Sequence, residues 1–388
     1  MTTNSKKKIM VFTGSRSEYG ILRPLMKAIQ NDPSLDLMIL ATGSHLSELF
    51  GQTINEIQKD GFVVDYKIGM DVSDDSGLAM AQAIGQGIIE IGQALKKAKP
   101  DMLLVCGDRG EALAVTVAAV YQKIAVVHLW GGDRASGANI DDSIRHAITK
   151  FAHIHLAVNK QHAQRIAKLG EEKSRIFVTG SPSVDSILAV IKNPDKAIFQ
   201  KFGIDPKKPL ALMVQHPTTI DLEKGAKEIK ETLEALRETK IQSIVIYPNF
   251  DAGSRSMAKT IAEYEGQENI KIFKSLSFLD YLNLMKIADV IVGNSSSGII
   301  EAPIFGLPSV NIGERQKGRA MADNVINVGY DKKQIIKAIK KATTDKKFLA
   351  KARKSQNFYG DGKASSKIVN ILKKIEIDNK LLMKKITY

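Results

Sequence analysis

The feature that most restricts how this chain can fold is an alternation of short apolar runs with longer segments of helical period. Near-continuous apolar runs of this length suit strands buried on both faces, which means parallel sheets covered by helices. In the first half such strands are expected at 9–13, 37–42, 63–68, 102–106, 125–129, 154–157 and 175–178, with helices at 18–30, 46–59, 78–97 and 112–122. The texture then changes. IKNPDKAIFQKFGIDPKKP (191–209) is polar, holds three prolines, and reads as a linker with a short helix. A second series of strands follows at 210–214, 243–247, 270–273, 290–292, 309–312 and 324–328, and residues 364–382 read as a lone amphipathic helix. A chain of 388 residues exceeds one ordinary core, so two doubly wound α/β domains are expected.

Composition narrows the function classes. No apolar run approaches the ~18 residues that span a bilayer, so no membrane segment is expected. The N-terminal stretch MTTNSKKKIMVFTGS has a basic start but ends its apolar run in a Gly/Ser/Arg turn, and reads as a first strand rather than a signal peptide. Cys106 is the only cysteine, which excludes an intrachain disulfide and suits the cytoplasm. The net charge of +14 comes largely from lysines between 332 and 385 on helix-like segments. Aromatics are 6% and do not interleave with those lysines, so the run reads as a solvated face and no nucleic-acid partner is expected.

In doubly wound units, ligands sit at the carboxyl ends of strands, where helix N-termini point outward. The polar clusters fall at those places. After the first strand comes Gly14-Ser15-Arg16-Ser17-Glu18-Tyr19-Gly20, where Arg16 can serve as a fork for an anion. The same turn would exist simply to open a helix with a capping Ser. After DMLLVC comes Gly107-Asp108-Arg109-Gly110-Glu111; these charges are costly at a buried strand end unless paired or used. An Arg109 pair with Asp108 or Glu111 would satisfy them structurally. The densest cluster spans His128 to His146 and includes Trp130, Asp133, Arg134, Asp141, Asp142 and Arg145. Asp141 or Asp142 can also cap the next helix, and His153 and His155 look structural. The cluster lacks the ligand spacing of a metal site, and the chain lacks both G-x-G-x-x-G after its first strand and a P-loop lysine. No metal, dinucleotide or other cofactor is therefore expected.

In the second series, Gln215-His216-Pro217, Tyr247-Pro248-Asn249 and Asp251-Ala252-Gly253 follow strands. Gly293-Asn294-Ser295-Ser296-Ser297-Gly298 leads toward Glu301, and Gly313-Glu314-Arg315-Gln316-Lys317-Gly318-Arg319 adds cations. The serine turn offers hydroxyls and backbone N–H groups to a diphosphate. A carboxylate at Glu301 suits the hydroxyls of a ribose.

These motifs, in this order over nearly the whole chain, resemble the hydrolysing UDP-N-acetylglucosamine 2-epimerases, including sialic-acid and legionaminic-acid pathway enzymes. The specific pieces are GSRSEYG, GDRGE, the Gly-Gly-acid turn before IDDSIRHAITK, YPNFDAG, and GNSSSGIIEAP followed by NIGERQKGR. The resemblance implies two Rossmann-like domains facing across a cleft, as in glycosyltransferases of the B type. Residues 1–185 would carry the sugar and the catalytic acids, 186–363 would bind UDP, and 364–388 would pack back on the first domain. It implies elimination of UDP across C1 and C2 to a glycal, then addition of water. Asp108 is the expected base, with Asp133, Asp142 and His216 as further catalytic groups. Arg16, Glu111, Arg145, Asn249, Ser296, Ser297, Glu301 and Arg315 are the expected substrate contacts. The partner is a UDP-sugar, and a homodimer is implied by the family alone.

Trp130 departs from relatives that carry Glu or His at the third position of H-x-x-G-G. Asp133 is therefore expected to be catalytic, with Trp130 presenting an apolar face to the sugar; the alternative is that Asp133 only pairs with Arg134 or Arg145 to hold the turn. The rivals are a non-hydrolysing epimerase, a glycosyltransferase of the same fold, an epimerase acting on UDP-N,N'-diacetylbacillosamine, and a binding protein without catalysis.

Overall fold

Lys7–Thr13 (β1) reads KKIMVFT, and every side chain from Ile9 onward is buried. A strand buried on both faces needs a neighbour at each edge and helices above and below. The computed structural model describes residues 6–48, 51–70, 76–134, 140–218, 224–248 and 253–388. In it, β1 pairs in parallel with Leu35–Thr42 (β2) and with Met102–Cys106 (β4). Tyr66–Ile68 (β3), Ala125–Leu129 (β5), Ile154–Ala157 (β6) and Ile176–Val178 (β7) complete a parallel sheet ordered β3-β2-β1-β4-β5-β6-β7.

A second parallel sheet holds Leu210–Val214 (β8), Gln242–Ile246 (β9), Ile270–Phe273 (β10), Val290–Gly293 (β11), Ser309–Ile312 (β12) and Val325–Val328 (β13), ordered β10-β9-β8-β11-β12-β13. Both sheets reverse their strand order at one point, between β1 and β4 and between β8 and β11. In doubly wound folds that reversal opens the crevice where ligands bind. The fold is thus α/β with two Rossmann-like sheets, as the alternation implied.

The first compact unit comprises Met1–Asp133, Ile140–Ser186 and Tyr359–Tyr388, and Ile187–Phe358 lie in the second. The chain returns to the first unit through the helix Ala364–Lys374, which packs on the helix Arg16–Gln30. Asp185 accepts from the Ala364 and Ser365 N–H groups at 3.1 and 2.8 Å. At the other end Lys7 donates to the Leu372 and Ile375 carbonyls at 2.8 and 2.7 Å, so both sets of unpaired helix-end groups are answered.

Three elements differ from the sequence expectation. The strand expected at 63–68 is only Tyr66–Ile68, and Val63 is 75% exposed. The helix expected at 46–59 shrinks to Ile54–Lys59, because Gly51 and Gln52 take left-handed φ values of 83° and 45° just before it. The final helix stops at Lys374, where Ile375 becomes extended, and Asp378 caps a separate turn at Asn379–Leu382. Among the described residues no helix is long and apolar enough to cross a membrane.

Gly293 ends β11 with φ of 127°, and a Cβ there would lie 2.1 Å from the Val214 carbonyl oxygen. Only glycine permits this approach of β11 to β8. Gly293→Ala should lose well over the ~1–3 kcal/mol of backbone strain alone. Gly61→Ala, with φ of 85° and nothing within 4 Å, should lose only the strain. Urea denaturation midpoints of the two variants make the comparison.

Candidate active site

The turn after β1 begins with a cap. The Ser15 side chain accepts from the Glu18 N–H, and Glu18 Oε2 accepts from the Gly14 N–H at 2.6 Å. This is close to a capping box, so the structural reading of the Ser is correct. It also makes Glu18 a buried carboxyl, 6% exposed, with Oε1 lacking a hydrogen bond. Burial pushes its pKa up to about 7, against the pull of Arg109 and with the push of Glu111. Arg16, half-buried, is the first residue of the helix. The turn after β2 leans on the same place: Ser44 donates to the Gly14 carbonyl through both N–H and hydroxyl at 3.1 Å. Glu18, Ser44 and the Thr13–His45–Thr53 chain of contacts, at 2.9 and 2.8 Å, were missed by reading the sequence. The S-x-x-E spacing of Ser15 and Glu18 was the available signal.

After β4 the charges sort into two groups. Arg109 Nε lies 3.4 Å from Glu111, the acid in the first turn of the helix Gly110–Tyr121. Asp108 pairs instead with Arg145, whose other terminal nitrogen meets Asp142. Arg145 also donates to the Asp133 backbone carbonyl at 3.3 Å. Its side chain is 2% exposed, while Asp108 and Asp142 keep 25% and 18%. Arg145 was expected to touch substrate; in the fold its two terminal nitrogens are taken up by Asp108, Asp142 and the Asp133 carbonyl. Asp141 and Asp142 both sit inside the first turn of the helix Ile140–Phe151, where the helix dipole favours negative charge.

Asp133 is 2% exposed, with Oδ1 3.3 Å from His162 Nε2. Trp130 is 5% exposed, has φ of 70°, stacks on Tyr359 at 5.7 Å and lies 6.0 Å from His162. The apolar face expected to meet a sugar is packed inside the unit, where it anchors the turn. His128, fully buried, places Nε2 2.9 Å from the Gly107 carbonyl and Nδ1 3.2 Å from the Thr149 hydroxyl. Burial drives its pKa down to about 3, so the ring is neutral. His153 accepts from the Val126 N–H at 3.0 Å and His155 meets Glu171 at 3.1 Å, consistent with structural roles.

In the second unit Asn294 is the hub. Its amide exchanges hydrogen bonds with the His216 N–H and carbonyl at 2.7 and 2.8 Å, continuing the β8–β11 pairing beyond the strands. Its own carbonyl accepts from Gln316 at 2.8 Å and Arg315 at 3.4 Å. Side chain and backbone of this one residue thereby hold the His216, serine and Arg315 turns together. The serine turn leads only into the four-residue helix Ser297–Ile300, so an anion there would rely on hydroxyls and side-chain cations more than on a helix dipole. Ser296 and Ser297 are half-buried. Glu301 is 9% exposed with Oε2 unbonded. Burial raises its pKa to about 7, against opposing Ser297 and Arg319. Asn249 and Asp251 lie outside the described residues. Among the described residues no group of three His, Cys, Asp or Glu is arranged to hold a metal ion.

The sequence profile of the UDP-N-acetylglucosamine 2-epimerase family matches residues 27–373. The chain belongs to that family. It is 35% identical over 378 residues to a Legionella pneumophila protein named UDP-N,N'-diacetylbacillosamine 2-epimerase (hydrolyzing), covering 97% of this chain and 98% of the relative. A Campylobacter jejuni GDP/UDP-N,N'-diacetylbacillosamine 2-epimerase (hydrolyzing) is 37% identical over 330 residues, covering 83% and 84%. The fold matches the crystal structure of UDP-GlcNAc 2-epimerase from Neisseria meningitidis, bound there to UDP-GlcNAc, with a TM-score of 0.80 at 21% identity over 94% of this chain and 99% of that one.

Glu18 and Glu301 both resist ionising in the folded chain, whereas their ordinary pKa is 4.5. Their contribution to stability is therefore full below about pH 4.5 and is lost as pH rises through about 7. Glu18→Gln and Glu301→Gln should each flatten the fall of Tm over that window. Melting curves across it that keep the wild-type slope in both variants would contradict this account.

Proposed function

We propose that this UDP-sugar 2-epimerase family member is of the hydrolysing kind, converting a UDP-linked 2-acetamido sugar and water to UDP and the free 2-epimer. Asp108 and Asp142, clamped by one buried Arg145 beside the β1/β4 switch point, carry this reading. Both relatives described above bear the hydrolysing name with diacetylbacillosamine as the sugar. Their similarity favours a 2,4-diacetamido substrate over UDP-N-acetylglucosamine, which would yield N-acetylmannosamine.

The C2 proton of such a sugar is not acidic until C1 becomes oxocarbenium-like, so the base must act as UDP departs. Asp108 takes the C2 proton, the C–H pair becomes the C1=C2 bond, and the C1–O pair leaves with UDP. Water then adds its oxygen to C1 while C2 receives a proton on the opposite face. Asp142 is the second carboxylate for that addition, and Arg145 fixes both acids without touching the sugar. Asp133, buried against His162, holds the Gly131-Gly132 turn rather than transferring protons. Arg16, His216, Ser296, Ser297 and Arg315 bind the diphosphate, whose departing charge they stabilise. Glu301 accepts from the ribose hydroxyls, Asn249 lies near the nucleotide or sugar, and Glu111 orients the sugar through Arg109. The family reading adds a homodimer acting in the cytoplasm, with neither nucleic acid nor membrane as partner.

Turnover in heavy water without added NAD or metal should release UDP and free sugar in equal amounts, with deuterium at C2. Protium retained at C2 would rule out the elimination. Offering UDP-N,N'-diacetylbacillosamine beside UDP-N-acetylglucosamine should show higher kcat/KM for the former; the reverse order would return the substrate to the simpler sugar.

Calorimetry with UDP alone tests the nucleotide contacts. Arg315→Ala should weaken binding by about 1.5–3 kcal/mol, the range for a hydrogen bond to a charged group. His216→Ala should weaken it as well, and unchanged affinity in both would move the nucleotide elsewhere.

A further inference from the structure

Beyond the helix Ala364–Lys374 the chain adds no strand to either sheet, yet its last residues are tied down at several points. Arg175 donates to the Leu381 and Lys380 carbonyls at 2.6 and 2.8 Å, and the Thr387 N–H donates to the Gly170 carbonyl at 3.2 Å. Lys384 donates to Glu171 at 2.6 Å, to the Ala152 carbonyl at 2.8 Å and to the Thr149 carbonyl at 3.4 Å. Glu171 is 2% exposed and also accepts from Lys150 at 2.7 Å. A surface tail does not need a buried carboxylate shared between two lysines and His155.

The carbonyls that Lys384 meets lie at the C-terminal end of the helix Ile140–Phe151, where unpaired acceptors and the helix dipole favour a cation. The other end of that helix carries Asp142 and Arg145. Between them lies a relay of polar contacts. His128 Nε2–H donates to the carbonyl of Gly107, the residue before Asp108, at 2.9 Å, which leaves Nδ1 of the neutral ring an acceptor; the single proton of the Thr149 hydroxyl goes either to that Nδ1 at 3.2 Å or to the Arg145 carbonyl at 3.0 Å. Lys384 therefore bears on both halves of the Asp108–Arg145–Asp142 unit, one through the helix and one through His128.

We propose that Lys384 is a positioning residue for that carboxylate pair, and that residues 378–388 form a strap fixing the helix Ile140–Phe151 against the end of β4. The proposal rests on the acid–base roles assigned above to Asp108 and Asp142. It differs from a purely stabilising tail in what should change when the ammonium is removed and the stem kept.

The test uses full-length Lys384→Met, Lys384→Arg and Thr149→Val, with turnover normalised to the folded fraction. Lys384→Met should lower kcat by about 10- to 100-fold, the scale of a ~1 Å misplacement, with UDP affinity unchanged. Lys384→Arg should recover most of it. Thr149→Val breaks the relay without touching the tail and should lower kcat similarly, and combining it with Lys384→Met should add little, as expected for coupled residues. It also serves if Lys384→Met does not fold. Amide exchange gives a readout independent of turnover: exchange in 107–111 and 140–152 should quicken in Lys384→Met and Thr149→Val. Wild-type kcat in folded Lys384→Met, or unchanged exchange in both segments, overturns the strap. A wild-type enzyme that releases no UDP from either sugar, with the exchange change still present, overturns the catalytic reading and leaves the strap standing.

Discussion

A single guanidinium shared by two carboxylates is the interaction on which the candidate site depends. Arg145 could not be buried to 2% exposure unpaired, because removing one partner from such a cluster costs about 3–5 kcal/mol. Asp108 and Asp142 stand 34 positions apart in sequence, on a strand end and a helix start. They can meet the same arginine only if β4 and the helix Ile140–Phe151 keep a fixed register. Much of the first unit's polar interior serves that register. His128 donates to the Gly107 carbonyl and faces Thr149, whose one hydroxyl proton can go to His128 Nδ1 or to the Arg145 carbonyl.

The second unit solves a similar problem with neutral groups. The Asn294 side chain copies a strand's hydrogen-bonding pair toward His216, while the Asn294 backbone carbonyl receives Gln316 and Arg315. Three turns from distant parts of the sequence become one surface of donors, with a buried carboxyl, Glu301, nearby in the chain. The diphosphate and ribose roles proposed for these turns need such donors fixed before the ligand arrives, because ordering them afterwards would subtract from affinity. Gly293 allows the arrangement, since any side chain there would strike the Val214 carbonyl.

Trp130 and Asp133 show how packing is hidden from a one-dimensional reading. Both stand in a motif rich in acids, and both looked available to a sugar. In the fold they turn inward, Trp130 onto Tyr359 and Asp133 onto His162. Tyr359 reaches that position only because the chain returns to the first unit after completing the second. Nothing local to residues 128–134 announces a partner more than two hundred positions away.

The alternation of buried runs and helical segments determined the two parallel sheets, because a strand that is apolar on both faces has few other places to go. The motifs at strand ends determined the family, and placed Asp108, His216 and Ser296 just after predicted strands. Tertiary structure alone decided which charges pair. Arg109 took Glu111, Arg145 took Asp108 and Asp142, and Lys384 came back from the C-terminus to a buried Glu171. Pattern is a local property set by periodicity and burial. Pairing between charges depends on distances fixed only when separate elements pack, and on the high cost of leaving a buried charge without its opposite.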